Sequence, residues 1–236
     1  VQQRKGTAQD SKTKISTKKR RSEMKELKVR VTFAEEILGT ASSDPEIHST
    51  FIASNAPDAP TRAEEVAAVG VDEVIEKSMT IFPRNKEGHP IMWDYQVKGF
   101  FKDACGCLRK VPNSASSKIK AYKKEIDGLI FVKERMIPIV FVGEIGNCQR
   151  PLRGQTAQGE RIALANSETI PAGAYIDFTI SCLCDAHINA VREWLDYGEL
   201  RGMGQWRNSG KGRYLWDEMD DLGNVIGGNR DFEARK

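Results

Sequence analysis

"GMGQWRNSGKGRYLW", residues 202–216, holds four glycines, three basic residues and two tryptophans. Gly210-Lys211 is the pair that ends a phosphate-binding loop of nucleotide triphosphatases. That loop needs Gly, four residues, Gly-Lys and then Ser or Thr, and it leads from a strand into a helix. Here Gly204 to Gly210 enclose five residues, Gly212 follows Lys211, and the surrounding pattern leads from a helix into a strand. Spacing, hydroxyl and topology all fail, which excludes that pocket. A plain turn explains one or two glycines through positive φ. Five of them over 198–212, interleaved with Arg201, Arg207, Lys211 and Arg213, point further. They suit a backbone brought close to an anionic chain, with Trp206 available to stack on a base.

The elements on either side decide the fold. Upstream, Asp185 reads as the N-cap of a helix over 186–197 that buries Ile188, Val191, Trp194 and Leu195, with Gly198 at its C′ position. A strand over 174–183 precedes it, with Ile176, Phe178, Ile180 and Cys182 alternating with polar residues. A last strand follows near 212–218. Nearer the chain start, Leu27, Val29, Val31 and Phe33 alternate with Lys28, Arg30 and Thr32, another half-buried strand. The clearest helix, 95–109, is capped by Asp94 and buries Val97, Phe100, Phe101, Ala104, Cys105 and Leu108 on one face.

Between these lie less regular segments. Residues 38–80 read as an insertion with two short helical stretches. "TIFPRNKEGHPIMW" (80–93) reads as a hairpin turning at Asn85 to Gly88. "PNSASSKIKAYKK" (112–124) reads as a loose basic connection. "DGLIFVKERMIPIVF" (127–141) is strand-like, a polar stretch reaches to Ala165, and the tail over 220–236 reads as flexible. The order merges into β-α-β-β-α-β, an α+β, ferredoxin-like (RRM-like) antiparallel sheet with two core helices on one face and an inserted subdomain. Its other face is free to bind, as in RNA-recognition sheets.

The 236 residues, 39% hydrophobic and 29% charged, suit a globular protein with a real core. No apolar run approaches a membrane span and no secretory signal is evident. Five cysteines, an odd count, read as reduced thiols in the cytoplasm. Residues 1–23 carry eight basic residues against Asp10 and Glu23, leaving 28 basic and 31 acidic of the chain's 36 and 33 for the rest. Any nucleic-acid surface on the body is therefore local. The composition of the head predicts disorder. "KKRRSEM" (18–24) is encodable as a purine-rich ribosome-binding site just before Met24, so the head is expected to be translated leader.

The ordered set "VRVTFAEEILGTASSD", "IMWDYQVKGFFKDACGCLR", "TAQGERIALANSETIPAGAYIDFTI" and "LDYGELRGMGQWRNSGKGRYLW" resembles the repeat-associated mysterious protein superfamily, the RNA-binding subunits of CRISPR effector complexes. The match spans roughly 26–217 and is carried by the ordered set, with no single motif decisive. It also resembles stand-alone prophage proteins of that kind. The resemblance implies a non-catalytic partner of single-stranded RNA or DNA, RNA first, with self-association along the strand and no cofactor. It assigns the contacts to Lys98, Lys102 and Arg109 at the helix entry and to Arg201, Gly202, Gly204, Trp206, Arg207, Gly210, Lys211, Gly212 and Arg213 in the loop. Two further readings stand beside it: an endoribonuclease of the same superfamily, and a phage protein that interferes with a host CRISPR complex.

Catalytic chemistry has few carriers. Asp44 fits an N-cap with Pro45 at N1, while the resemblance offers it a catalytic role in the loop after the first strand, where His48 also lies. His89 and His187 stand alone. Cys105/Cys107 and Cys182/Cys184 are C-x-C pairs; on a helix i and i+2 point apart, which is poor for zinc, and the pairs read as buried thiols.

Overall fold

A computed structural model describes residues 24–42, 79–156 and 159–230 of the chain. Strand β1 (Lys25–Phe33) sits at the centre of its sheet. Leu27, Val29, Val31 and Phe33 are all at most 2% exposed, while Lys28 on the other face is open to solvent. One side of β1 pairs antiparallel with β10 (Tyr175–Cys182) and the other with β11 (Tyr214–Met219). Beyond β10 lies β6 (Ile130–Val132), and beyond β11 lies β12 (Val225–Gly228), both antiparallel.

Helix α1 (Asp94–Leu108) lies between β1 and β6 in the chain, and α3 (Ala186–Arg201) lies between β10 and β11. Leaving the edge strand aside, the spatial order is fourth, first, third, second. Both helices pack on the face carrying Leu27 to Phe33 and meet where Phe101 tilts against Trp194, ring centroids 5.5 Å apart. Helix α2 (Tyr122–Leu129) packs beside α1. The molecule is α+β with antiparallel pairing throughout this sheet.

A second sheet gathers β2 (Ile37–Leu38), β3 (Ala41–Ser42), β4 (Met79–Ile81), β8 (Gly146–Thr156) and β9 (Gly159–Ile170). The described ends of the expected insertion, β3 and β4, pair with each other in this sheet and not in the core one. Glu168 on β9 holds this corner, accepting the Phe82 amide (2.8 Å) and Arg84 (2.7 Å). A short pair, β5 (Ile91–Trp93) with β7 (Met136–Pro138), completes the described strands. The turn at Asn85 forms as expected, its side-chain oxygen accepting the Glu87 and His89 amides.

Several expectations need correction. The polar stretch before Ala165 is a long hairpin, β8 and β9 in unbroken register from Gly146↔Thr169 to Thr156↔Gly159. The connection at 112–124 is ordered: a 3-10 turn (Ser116–Lys118) donates the Ala115 and Ser116 amides to the Glu193 carboxylate, each at 3.0 Å, and α2 follows. Residues 127–129, read as strand, finish that helix. The tail expected to be loose contributes β12. Asp94 is the first helical residue and not the cap; the preceding Trp93 amide donates to Gln96 (2.7 Å), and Asp94 pairs with Arg135. Gly198 lies inside α3, because Tyr214 occupies the space a Cβ would need, at 1.9 Å. The helix runs one more turn to a C-cap at Gly202.

Candidate nucleic-acid interface

The glycine loop leaves α3 at Gly202 (φ 73°) and returns into β11. Its neck is closed by backbone bonds from Met203 to Gly212 (2.8 Å) and from Gly212 to Glu36 (2.9 Å). Met203 is buried beneath it. A Cβ on Gly212 (φ 68°) would lie 1.9 Å from the Met203 carbonyl oxygen, so this close approach demands glycine. Gly204 and Gly210 also have positive φ but lie where a Cβ would meet no such clash. Trp206 is left-handed too (φ 58°), a conformation that costs a bulky residue about 1 kcal/mol or more. It precedes a 3-10 turn, Arg207–Ser209, whose last amide bonds back to the Trp206 carbonyl (2.9 Å).

The basic side chains of the loop are tethered. Asp103 on α1 accepts from Arg201 (2.9 Å) and Arg207 (2.7 Å) through one oxygen. Burial works to raise the Asp103 carboxyl, but the bonds and charges of the two arginines outweigh it and hold it below its ordinary value. Lys211 pairs with Glu36, and Arg213 donates to the Glu199 carbonyl (2.6 Å). Arg150, from β8, lies with its guanidinium carbon 3.5 Å from the Trp206 ring centroid. Five bases thus meet around the loop against the carboxylates of Asp103 and Glu36. Arg150 gave no signal in the sequence, because the hairpin that carries it was not recognised.

The other expected contacts lie elsewhere on α1. Lys98 donates to the Asp127 carbonyl (3.2 Å), sits 5.0 Å over the Phe131 ring, and has its pKa lowered by burial. Lys102 pairs with Asp127 (2.6 Å), and Arg109 lies 5.3 Å over the Tyr122 ring. These three face α2 and β6, so the structure does not bring them into the loop's network.

The open face of the core sheet differs from the expectation. Arg30 grips Asp177 with two bonds of 2.7 Å, Lys28 reaches Asp221 (3.0 Å), Lys133 reaches Glu26 (2.5 Å), and Arg230 reaches Asp217 (3.2 Å). A groove of about 350 Å³ on this face sets Lys28 and Arg30 against Glu134, Asp177, Asp220 and Asp221. The lining thus carries four acids against two bases. Tyr175 is already covered by the Arg30 guanidinium, 4.5 Å from its centroid.

Asp44 and His48 lie outside the described residues. His187 is buried against Glu125 (3.0 Å) and His89 is exposed in its turn. In each C-x-C pair one thiol is buried and the other exposed. Among the described residues no three His, Cys, Asp or Glu side chains gather as a metal site, and no helix is long and apolar enough to cross a membrane.

No family model matches the chain, and no curated protein does. Among solved structures it is similar to a chain in the cryo-EM structure of the Type III-B Cmr-beta bound to cognate target RNA. The TM-score is 0.45 at 11% identity, over 84% of this chain and 59% of that one.

Proposed function

We propose that the chain is a binder of single-stranded nucleic acid, RNA in preference to DNA, working in the cytoplasm through the glycine loop. In this reading the core is the ferredoxin-like arrangement, and the chain is a non-catalytic member of the repeat-associated mysterious protein superfamily. One observation carries the reading: the contrast between the two surfaces. The open sheet face has its charges paired off and an acidic excess, whereas the loop region carries Arg150, stacked on Trp206, together with Arg201, Arg207, Lys211 and Arg213, against the two carboxylates of Asp103 and Glu36. Basic groups flanking an aromatic ring are what a single strand uses, phosphates on the first and a base on the second.

The test is purification with and without nuclease, followed by titration of labelled single-stranded RNA and DNA at several salt concentrations. Nucleic acid should accompany the untreated protein, and RNA should bind more tightly. Replacing Arg207 and Lys211 together by Ala should flatten the dependence of log affinity on log salt by about 1.4, two phosphate contacts at about 0.7 each. Failure of both strands to bind at low salt overturns the reading.

A further inference from the structure

Arg150 is 6% exposed, and its Nε and Nη1 have no hydrogen-bond partner. Its Nη2 reaches only the Gln205 side-chain oxygen, at 3.4 Å, the outer limit of a bond. The contact with Trp206 engages the face of the guanidinium, whereas its N–H donors lie in the plane. Stacking therefore steadies the charge and leaves the donors unused. A buried cation without a carboxylate is costly to keep. By contrast Arg84, just after β4, is matched to Glu168 of β9.

We infer that Arg150 is a phosphate receptor: one phosphate group docks on the in-plane N–H donors of its guanidinium, between the β8–β9 hairpin and the glycine loop. Guanidinium donors suit tetrahedral oxyanions. The loop adds the second half of the cradle. The amides of Met203, Ser209, Gly210, Lys211 and Gly212 close the loop, while those of Gly204, Gln205 and Trp206 take no part in that closure. Consecutive amides of this kind can cradle an anion, and Gln205 and Trp206 are the residues whose side chains Arg150 touches. The inference rests on the proposed function: in the bound state the phosphate belongs to the backbone of the single strand, and Arg201, Arg207 and Lys211 lie nearby for its neighbours. A lone carboxylate would answer Arg150 alone, whereas a strand also presents phosphates to the other bases of the loop.

The experiment compares the parent with Arg150→Met and Arg150→Lys. It uses anisotropy of a labelled uridine 12-mer across salt concentrations, and thermal melts with and without pyrophosphate. The Met variant should bind roughly ten- to a hundredfold more weakly and with a salt slope lower by about 0.7. The Lys variant should regain the slope but only part of the affinity, since ammonium lacks the planar donors. The Met variant should melt no lower than the parent, because it loses a buried charge that had no partner. If the parent binds RNA and the Met variant keeps both affinity and slope, the receptor is wrong and the loop reading survives. If the parent binds no RNA, the proposed function falls. Pyrophosphate then decides: raising the melting temperature of the parent but not of the Met variant upholds the receptor, and raising neither or both overturns it. A Met variant that melts well below the parent also overturns it, since the guanidinium would then be a structural strut.

Discussion

Asp103 shows how one carboxylate can set the charge of a surface. It holds Arg201 and Arg207 together and is itself held below its ordinary pKa by them, against the effect of burial. A depressed carboxyl contributes stability above its unfolded value and loses it as pH falls through the folded value. The tether of loop to α1 should therefore persist through neutral pH and fail only in acid, below the range where free aspartates titrate. Carboxyl NMR should place Asp103 lower than an exposed aspartate, and Asp103→Asn should erase that acid limb. The thiols make a second residue-scale case. Burial pushes the Cys182 thiol up to about 11 and raises Cys105 as well, while Cys107 and Cys184 are exposed. Iodoacetamide at pH 8 should label Cys107 and Cys184 first and spare the other two until the protein unfolds, as mass spectrometry would show. Equal rates at Cys182 and Cys184 would contradict the placement of β10. The split between Cys105 and Cys107 was legible from sequence, because residues two apart on a helix point to different sides, whereas Cys184 is exposed because β10 ends at Cys182; the pairing of Asp103 with Arg201 and Arg207, distant in the chain, was not.

The elements with strong periodicity were readable in the same way. β1, β10, α1 and α3 show their buried faces in the spacing of apolar residues alone, and they are the elements on which the core closes. The hairpin of β8 and β9 was not readable, because its partner is its own other half and its stretch is mostly polar; backbone pairing over eleven registers supplies what periodicity does not. The turn at 116–118 was hidden for a different reason: its capping carboxylate, Glu193, is contributed by α3. Gly198 misled because glycine near a helix end usually terminates it, whereas here the ring of Tyr214 claims the missing side chain's space. Two substitutions separate these meanings of glycine. Gly198→Ala should destabilise the protein by roughly 1–3 kcal/mol through overpacking. Gly99→Ala, at an α1 position where a Cβ meets nothing within 4 Å, should stabilise it by about 0.5–1 kcal/mol. Urea denaturation measures both, and equal shifts for the two would contradict the packing of Tyr214 on α3.

At the scale of the whole molecule, the two faces of the core sheet have opposite assignments. One is buried under α1 and α3, and the other is laced with ion pairs, so neither offers the stacking platform that the fold class suggested. The candidate surface is displaced to one end of the sheet, where the loop, the β8 strand and the β1–β2 connection converge. Composition could indicate that a basic surface must be local, but not where tertiary contacts would gather it. The neck of the loop has a consequence in time as well as in space. Met203 and Gly212 are pinned by bonds of 2.8 and 2.9 Å, while the amides of Gly204 to Trp206 lie outside that closure. The loop should therefore be open to solvent at its tip yet nearly motionless at its base. Deuterium should replace the tip amides quickly, whereas the Gly212 and Met203 amides should exchange only with slow, larger openings of the fold. A strand arriving at such a loop would meet a shape already settled, and would give up little of its own binding energy to hold the loop still.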